Sequence, residues 1–557
     1  MLLFSVHPTI ISSPSPAAAE SIISQLGGDI DGEAAGDESG FSVSLNGDGT
    51  RVAIGAHLNA ENGAISGHTR IFEYNSSSSS WVQLGADIDG EAAGDASGYS
   101  VSLSSDGTRV AIGAPNNDGN GTDSGRTRVY EWNGTAWTQV GDDIDGEAAF
   151  DQSGASVSIN SDGTRVAIGA PTNSDNGASS GHTRIYQYNS SSSSWVQLGA
   201  DIDGEADGDT SGFSVSLNSD GSRVAIGATA NDGNGTDAGH TRIFEYNSSS
   251  SSWVQLGADI DGEAAGDISG HSVSLNGDGT RVAIGAPLNA ENGAESGHTR
   301  IFEYNSSSSS WVQLGADIDS EAAGDKSGWS VSLSSDGTRV AIAAPTNDGN
   351  GTTSGHARIF EYNSSSSSWV QLGADIDGEA AGDALGDGLS LNSDGTRVAI
   401  GAVINDGNAS DAGHTRIFAI NAVSQSSERE SGAERDSAEH PGEPGIFLTL
   451  TGQAFDPSQG FGVTFGAYAV APNSPFVLAI RDEQSGIQRV LASGTTSAGG
   501  HLEDSIQLPQ LQTGSYTITL TARSAGGALL PLGNRILVDG QGNIQSVSPE
   551  EFQPRIR

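Results

Sequence analysis

The sequence predicts an all-β fold: a seven-bladed β-propeller closed by an N-terminal outer strand, followed by a small C-terminal β-sandwich. Three observations carry that prediction. The string Arg-Val-Ala-Ile recurs with its arginine at 51, 109, 165, 223, 281, 339 and 397, at spacings of 58 residues except for a single 56. A fixed period of this kind marks a solenoid, a propeller or an array. Each period holds four short β-type runs, the signature of a propeller blade. The last period lacks its fourth run, and an orphan copy of that run precedes the first period.

The second period shows the four runs: Ser100-Val101-Ser102-Leu103, Arg109 to Ala114, Thr127 to Trp132, and Trp137 to Val140. They have period-2 or short apolar character and are bounded by Gly, Asn, Asp and Ser. The first two runs carry Ser, Val, Ala and Gly, which suit a crowded axis. The last two carry aromatics such as Phe72, Tyr74 and Trp81, which suit the wide rim of a wedge. Asp106-Gly107 lies between the first two runs, as do Asp48-Gly49, Asp162-Gly163 and Asp220-Gly221. Asp-Gly there predicts a type I′ turn. Asn75 and Ser76 to Ser80 join the third and fourth runs; the shorter Asn133-Gly134-Thr135 in the second period accounts for the 56-residue spacing.

Closure follows from register. The last period ends at Ile417-Phe418-Ala419-Ile420, and the orphan Ser24-Gln25-Leu26-Gly27 lies in phase, Gln25 being 58 residues before Gln83. The N-terminal strand is therefore expected to complete blade seven from outside, which removes an open sheet edge.

The chain divides into a leader (1–22), the propeller (23–421), a linker (422–444) and a C-terminal β domain (445–557). The leader begins apolar and ends in Ala17-Ala18-Ala19, as at a signal cleavage site, but lacks a positive start. The linker is rich in Ser, Glu, Arg, Gly and Pro without apolar period. Strand-like runs return at Phe447 to Thr451, Phe476 to Arg481, Gln488 to Ala492, Tyr516 to Ala522 and Arg535 to Val538.

Composition limits function. Among 557 residues, 70 are acidic and 24 basic, for a net charge of −46, and Lys326 is the one lysine. Nucleic acid is thereby excluded as a partner, since phosphate binding needs clustered Lys and Arg. The absence of cysteine excludes disulfides, thiolate metal sites and cysteine nucleophiles. No apolar run of about 18 residues exists, so no transmembrane helix is expected.

In an antiparallel four-stranded blade, the link from strand four to the next blade shares a face with the link between strands two and three. Both links are acidic here, Asp87 to Asp95 and Asn117 to Asp123 being the examples. Most carboxylates thus fall on one face, opposite the Asp-Gly turns and serine runs. In the first link, positions 1, 3, 5 and 9 are Asp87, Asp89, Glu91 and Asp95. The equivalents are Asp29, Asp31, Glu33 and Asp37; Asp143, Asp145, Glu147 and Asp151; Asp201, Asp203, Glu205 and Asp209. They continue as Asp259, Asp261, Glu263 and Asp267; Asp317, Asp319, Glu321 and Asp325; Asp375, Asp377, Glu379 and Asp383. Such spacing resembles a Ca²⁺ loop, because a hard cation takes six to eight oxygens. The glycine falls at position 4, though, and position 12 is Gly98 in place of a bidentate glutamate. Solvated turn carboxylates are the simpler alternative.

His68, His182, His240, His298, His356 and His414 occupy one repeat position, which Arg126 fills in the second period. Equivalent residues of a ring lie far apart and cannot share a metal, so a structural role is expected. No Ser/His/Asp set, HExxH or phosphate loop stands out, and the period-specific residues Phe150, Lys326, Trp329 and Asp387 form no evident set.

The periods resemble FG-GAP repeats, the blades of the integrin α-subunit propeller and of many surface proteins. The resemblance rests on Gly98 with Ser100-Val101-Ser102-Leu103, on Ile112-Gly113-Ala114-Pro115, and on Thr127-Arg128-Val129-Tyr130, and it extends over all seven periods. Gly-Ala-Pro recurs at 169–171 and 285–287. Two departures stand out: Ser97 replaces the family's Phe, and its calcium hairpin has shrunk to Ser105-Asp106-Gly107. Any calcium here would use the opposite, acidic face. The segments Leu448 to Pro457 and Thr513 to Leu520 resemble Ig-like modules of bacterial secreted proteins. Together these resemblances imply a secreted or cell-surface, non-catalytic binding or adhesion scaffold that recognises an extracellular protein or glycan through its acidic face, with Ca²⁺ as the candidate cofactor. A carbohydrate-active propeller enzyme and a purely structural matrix protein are the alternatives.

Overall fold

The computed structural model describes the backbone of residues 21–422 and of eight strands between 445 and 547, with side chains described over 23–421. The expected leader up to residue 20 and the linker from 423 to 444 lie outside the described residues. The chain separates into two units, residues 1–427 and 428–557.

The first unit is a seven-bladed β-propeller, with no helix among the described residues. Blade one comprises Ser42–Leu45, Arg51–Ala56, His68–Asn75 and Ser80–Gln83, paired antiparallel in chain order. Blade seven comprises Leu385–Leu391, Arg397–Ala402 and His414–Ala422, and its outermost strand is Ser21–Gln25. That strand pairs antiparallel, from Ser21 opposite Ala422 to Gln25 opposite Phe418. The N-terminal strand thus closes the ring as the repeat phase requires, starting at Ser21, two residues before the expected boundary.

The Arg-Val-Ala-Ile-Gly-Ala strand is buried on both faces because a blade covers each. Its period-2 alternation sorts side chains by size. Val52 and Ile54 face blade seven and pack on Ala399 and Ile417. Ala53 and Ile71 point the other way, onto Val101, Leu103, Val110 and Ile112 of blade two. A large face against a small one sets the wedge. Each buried Val or Ile contributes about 1.5–3 kcal/mol relative to exposure.

The innermost strand of each blade presents an unpaired edge to the axis, and serine side chains of the neighbouring blade satisfy it. Val101 and Leu103 N–H donate to the hydroxyls of Ser42 and Ser44 at 3.0 and 2.9 Å. Leu45 N–H donates to Ser390 Oγ across the closure, at 3.0 Å. Two further belts encircle the turn face. Backbone bonds of 2.7–3.0 Å run from Gly47 to Ser105, 161, 219, Gly277, Ser335, 393 and back to Gly47. The seven repeat arginines each donate to the next blade's turn glycine, from Arg51 to Gly107 through Arg397 to Gly49, at 2.8–3.0 Å.

The Asp-Gly hairpin differs from the expected type I′ turn. Gly107 N–H bonds Ser104 C=O at 2.8 Å, around Ser105 and Asp106. Gly107 alone follows in the left-handed region, at φ 66°, while Asp106 does not have positive φ. This is a type I turn with a glycine bulge. The reason is the axial belt: Ser105 must offer its N–H and C=O to neighbouring blades, and Asp106 Oδ1 is occupied by the N–H and hydroxyl of Thr108.

The second unit has two antiparallel sheets. One pairs Gly445–Asp456, Gly460–Tyr468 and Leu502–Leu508; the other runs Gln488–Thr495, Pro475–Asp482, Gly514–Arg523, Leu529–Val538 and Ile544–Val547.

Candidate binding face

Both acidic links do share one face. The reason is a two-residue strand inside the first link: Ile88–Asp89 pairs with Thr69 and His68, at the start of strand three. Gly90 N–H then bonds Gly67 C=O at 2.8 Å, which lays this link beside the one between strands two and three.

The four predicted carboxylates of one link do not converge on a single point. The ninth-position aspartate turns inward as a brace. Asp95 is buried, and its Oδ2 accepts from Glu91 N–H, Ala92 N–H and Asn117 Nδ2 at 3.0–3.1 Å. Asp37, Asp151, Asp209, Asp267, Asp325 and Asp383 are buried alike or accept the same backbone bond. The first-position aspartate accepts from a strand-four glutamine, as Asp87 does from Gln83 and Asp259 from Gln255. The fifth-position glutamate reaches the blade that the link leads into: Glu33 lies 3.5 Å from Arg70 Nη1 and 3.9 Å from His68 Nδ1. The six repeat histidines therefore do not face one another. Each meets carboxylates of the links around it, and Glu33, Glu61, His68 and Asp87 offer ligand atoms within 4.8 Å of one another. Burial, then the Arg70 charge, holds His68 below the usual imidazole range; burial pushes Glu33 up against the opposing pull of Arg70.

At the axial mouth of this face lies a cavity of about 320 Å³. Its lining includes Phe41, Tyr99, Ala155, Phe213, His271, Trp329 and Asp387. All seven stand at one repeat position, just before a serine of the innermost strand or, in blade seven, before Gly388, and each blade contributes one. The rings touch: Phe41–Tyr99 centroids are 4.9 Å apart, Phe213–His271 5.0 Å and His271–Trp329 4.4 Å. His271 Nδ1 also lies 3.0 Å from Trp329 C=O. Burial holds His271 down to about 4. Burial, with Glu38 adding, pushes Asp387 up to about 7, while a bond from Trp329 opposes the shift.

Trp329 and Asp387, expected to form no set, are thus neighbours on one cavity. Of the other two period-specific residues, Phe150 is 60% exposed and Lys326 pairs with Glu295 at 3.8 Å. The signal for the cavity was present as one of a few variable columns in otherwise near-identical repeats. It was missed because comparing each repeat with a consensus hides what a ring gathers.

Fold and site together define a repeat-built seven-bladed β-propeller with a ligand-sized cavity at its axial mouth. Two segments match the family described as FG-GAP repeat, residues 87–130 and 319–360, each match running from an acidic link into strand three. Among solved structures the chain is similar to the tricorn protease (11% identity, TM-score 0.22, covering 90% of this chain and 49% of that one). It is also similar to the WD40 domain of SCAP from fission yeast (10%, 0.37, covering 72% and 98%) and to Pyrococcus horikoshii acylaminoacyl peptidase (10%, 0.33, covering 77% and 56%). The chain thus spans about half the length of the tricorn protease. No curated protein matches the sequence.

Proposed function

We propose that the chain is a secreted or cell-surface, non-catalytic binding scaffold that takes an extracellular protein or glycan at the axial mouth of its acidic face. One observation carries this reading. Of the few columns that differ from blade to blade, the one just inside the innermost strand is gathered by the ring around one cavity of about 320 Å³. An apolar concavity with a few polar groups is the usual form of a ligand site. Aromatic faces stack on a sugar ring or receive a cationic side chain, and the carboxylate rim strengthens the second by cation–π and charge attraction. The C-terminal unit, read as an Ig-like β-sandwich, serves as a spacer; its two antiparallel sheets support that reading.

The test is a screen of the full chain on glycan and basic-peptide arrays beside Trp329→Ala. Binding that falls tenfold or more in the variant supports the proposal. Binding retained by the variant, or no binding by the parent, moves the account to a purely structural role.

Asp387 favours a second reading, a carbohydrate-active enzyme, because a carboxyl near 7 suits an acid or base. Glycoside hydrolysis needs two carboxyls, and Glu38 lies close enough to raise Asp387. Release of reducing sugar from any array-positive glycan, abolished in Asp387→Asn, would establish it.

A further inference from the structure

We propose that the blade boundaries of the acidic face hold divalent transition-metal ions, each on one buried imidazole and on carboxylates of the acidic links around it. The site is independent of the axial cavity and of what binds there. Its fullest form is Glu33, Glu61, His68 and Asp87, repeated around His182 and around His298.

Four observations converge on it. The histidine side chain is fully buried, and both ring nitrogens of His68, His182 and His298 lack a hydrogen-bond partner. A buried polar group is seldom left so, since the desolvation goes uncompensated. The histidine Nδ1 to glutamate Oε2 distance is 3.8–4.0 Å in all six histidine blades. That is too long for a hydrogen bond. It suits two donors on one ion, which at ~2.1 Å each can stand up to about 4.2 Å apart. Charge agrees as well: three carboxylates and the adjacent Arg70 leave two negative charges for one divalent ion.

Blade two supplies the fourth observation. There Arg126 replaces the histidine, and its guanidinium lies among the corresponding carboxylates. Nε is 2.7 Å from Asp145 Oδ1 and Nη1 3.0 Å from Asp143 Oδ2, with Glu91 also bound to Nη1. Glu91 and Asp143 are the counterparts of Glu33 and Asp87. Gly119 stands in the position of Glu61, and a Cβ there would come within 2.2 Å of Arg126 Nη2. One blade thus carries a covalently attached cation, with room cleared for it, in the place the other blades surround with ligands.

The donor set decides the class of metal. One imidazole nitrogen with three carboxylate oxygens suits zinc and its neighbours, whereas calcium takes oxygen alone. Neither the ninth-position aspartates nor the Asp-Gly hairpin takes part. Where Gly233 or Gly407 stands in the Glu61 position, three ligands remain, as in Glu205, His240 and Asp259, and the ion is held more weakly.

The experiment loads the tag-free full chain with zinc, desalts it and measures zinc per chain by inductively coupled plasma mass spectrometry. The three four-ligand groups should retain three zinc ions. Glu61→Gln, at an exposed side chain that leaves the fold intact, should remove one. Arg126→His with Gly119→Glu should add one; if that variant does not fold, the Glu61→Gln count carries the test alone. No retained zinc, or a count that Glu61→Gln leaves at the parent's value, overturns the proposal. Displacement of the zinc by a hundredfold excess of calcium overturns the assigned class of metal.

Discussion

Ile112 shows how much one side chain carries in a ring of blades. It is 1% exposed and packs with Val101, Leu103 and Val110 against Ala53 and Ile71 of the blade before. A β-sheet cannot close up around a lost side chain when both faces are already covered. Ile112→Ala is therefore expected to cost about 2–5 kcal/mol, read as a lower urea midpoint. A loss below about 1 kcal/mol would mean that the blades do not interlock as described. Asp387 gives a second residue-scale test, in which sign matters. Its folded value is raised to about 7 from an ordinary 3.8, so the folded chain binds the proton more tightly than the unfolded chain. Its contribution to stability is then present below about pH 4 and is lost as pH rises through about 7. Asp387→Asn should melt above the parent at pH 8, and the difference should vanish toward pH 4. A difference independent of pH would contradict the burial of that carboxyl.

Among elements, the strand Ser21–Gln25 decides whether the ring is closed. It covers the free edge of His414–Ala422, and Leu26 N–H extends the pairing to Ile417 C=O at 2.7 Å. Deleting residues 1–28 should lower the melting temperature and broaden the transition, because blade seven then ends on an open edge. An unchanged melt would show that closure contributes little. This element was legible beforehand, since Gln25 keeps the 58-residue phase with Gln83 and phase survives in sequence alone. The four strands of each blade were legible for the same reason. The hairpin was not: Asp-Gly specifies a tight turn, but hydrogen bonds to neighbouring blades select its type. Nor were the partners of the histidines legible. His68 meets Glu33, 35 residues earlier, and Asp87, 19 later, through pairing of the two-residue strand Ile88–Asp89, which is too short to announce itself.

On the scale of the whole molecule, seven copies of one unit make two unlike faces. The turn face is locked by belts of backbone and arginine bonds. The other face carries the acidic links and, at its centre, the column from Phe41 to Asp387. A chain of net charge −46 with its carboxylates gathered this way should attract a basic partner at long range. Association with a basic peptide found on the array should slow as salt rises from about 50 to 500 mM, while dissociation changes little. Neutralising Asp89 and its equivalents should flatten that dependence. An association rate indifferent to salt would place the partner elsewhere.

The central claim is that the axial column from Phe41 to Asp387 is the binding site and the repeats are its frame. Ala155 already occupies that column in blade three, so the blade accepts alanine there. The most direct measurement replaces Phe41, Tyr99, Phe213, His271, Trp329 and Asp387 together by alanine. It then compares binding of an array-selected ligand by surface plasmon resonance with that of the parent. The account predicts that binding is lost while the variant still melts cooperatively as a folded β-protein. A folded variant that binds as the parent does would contradict it.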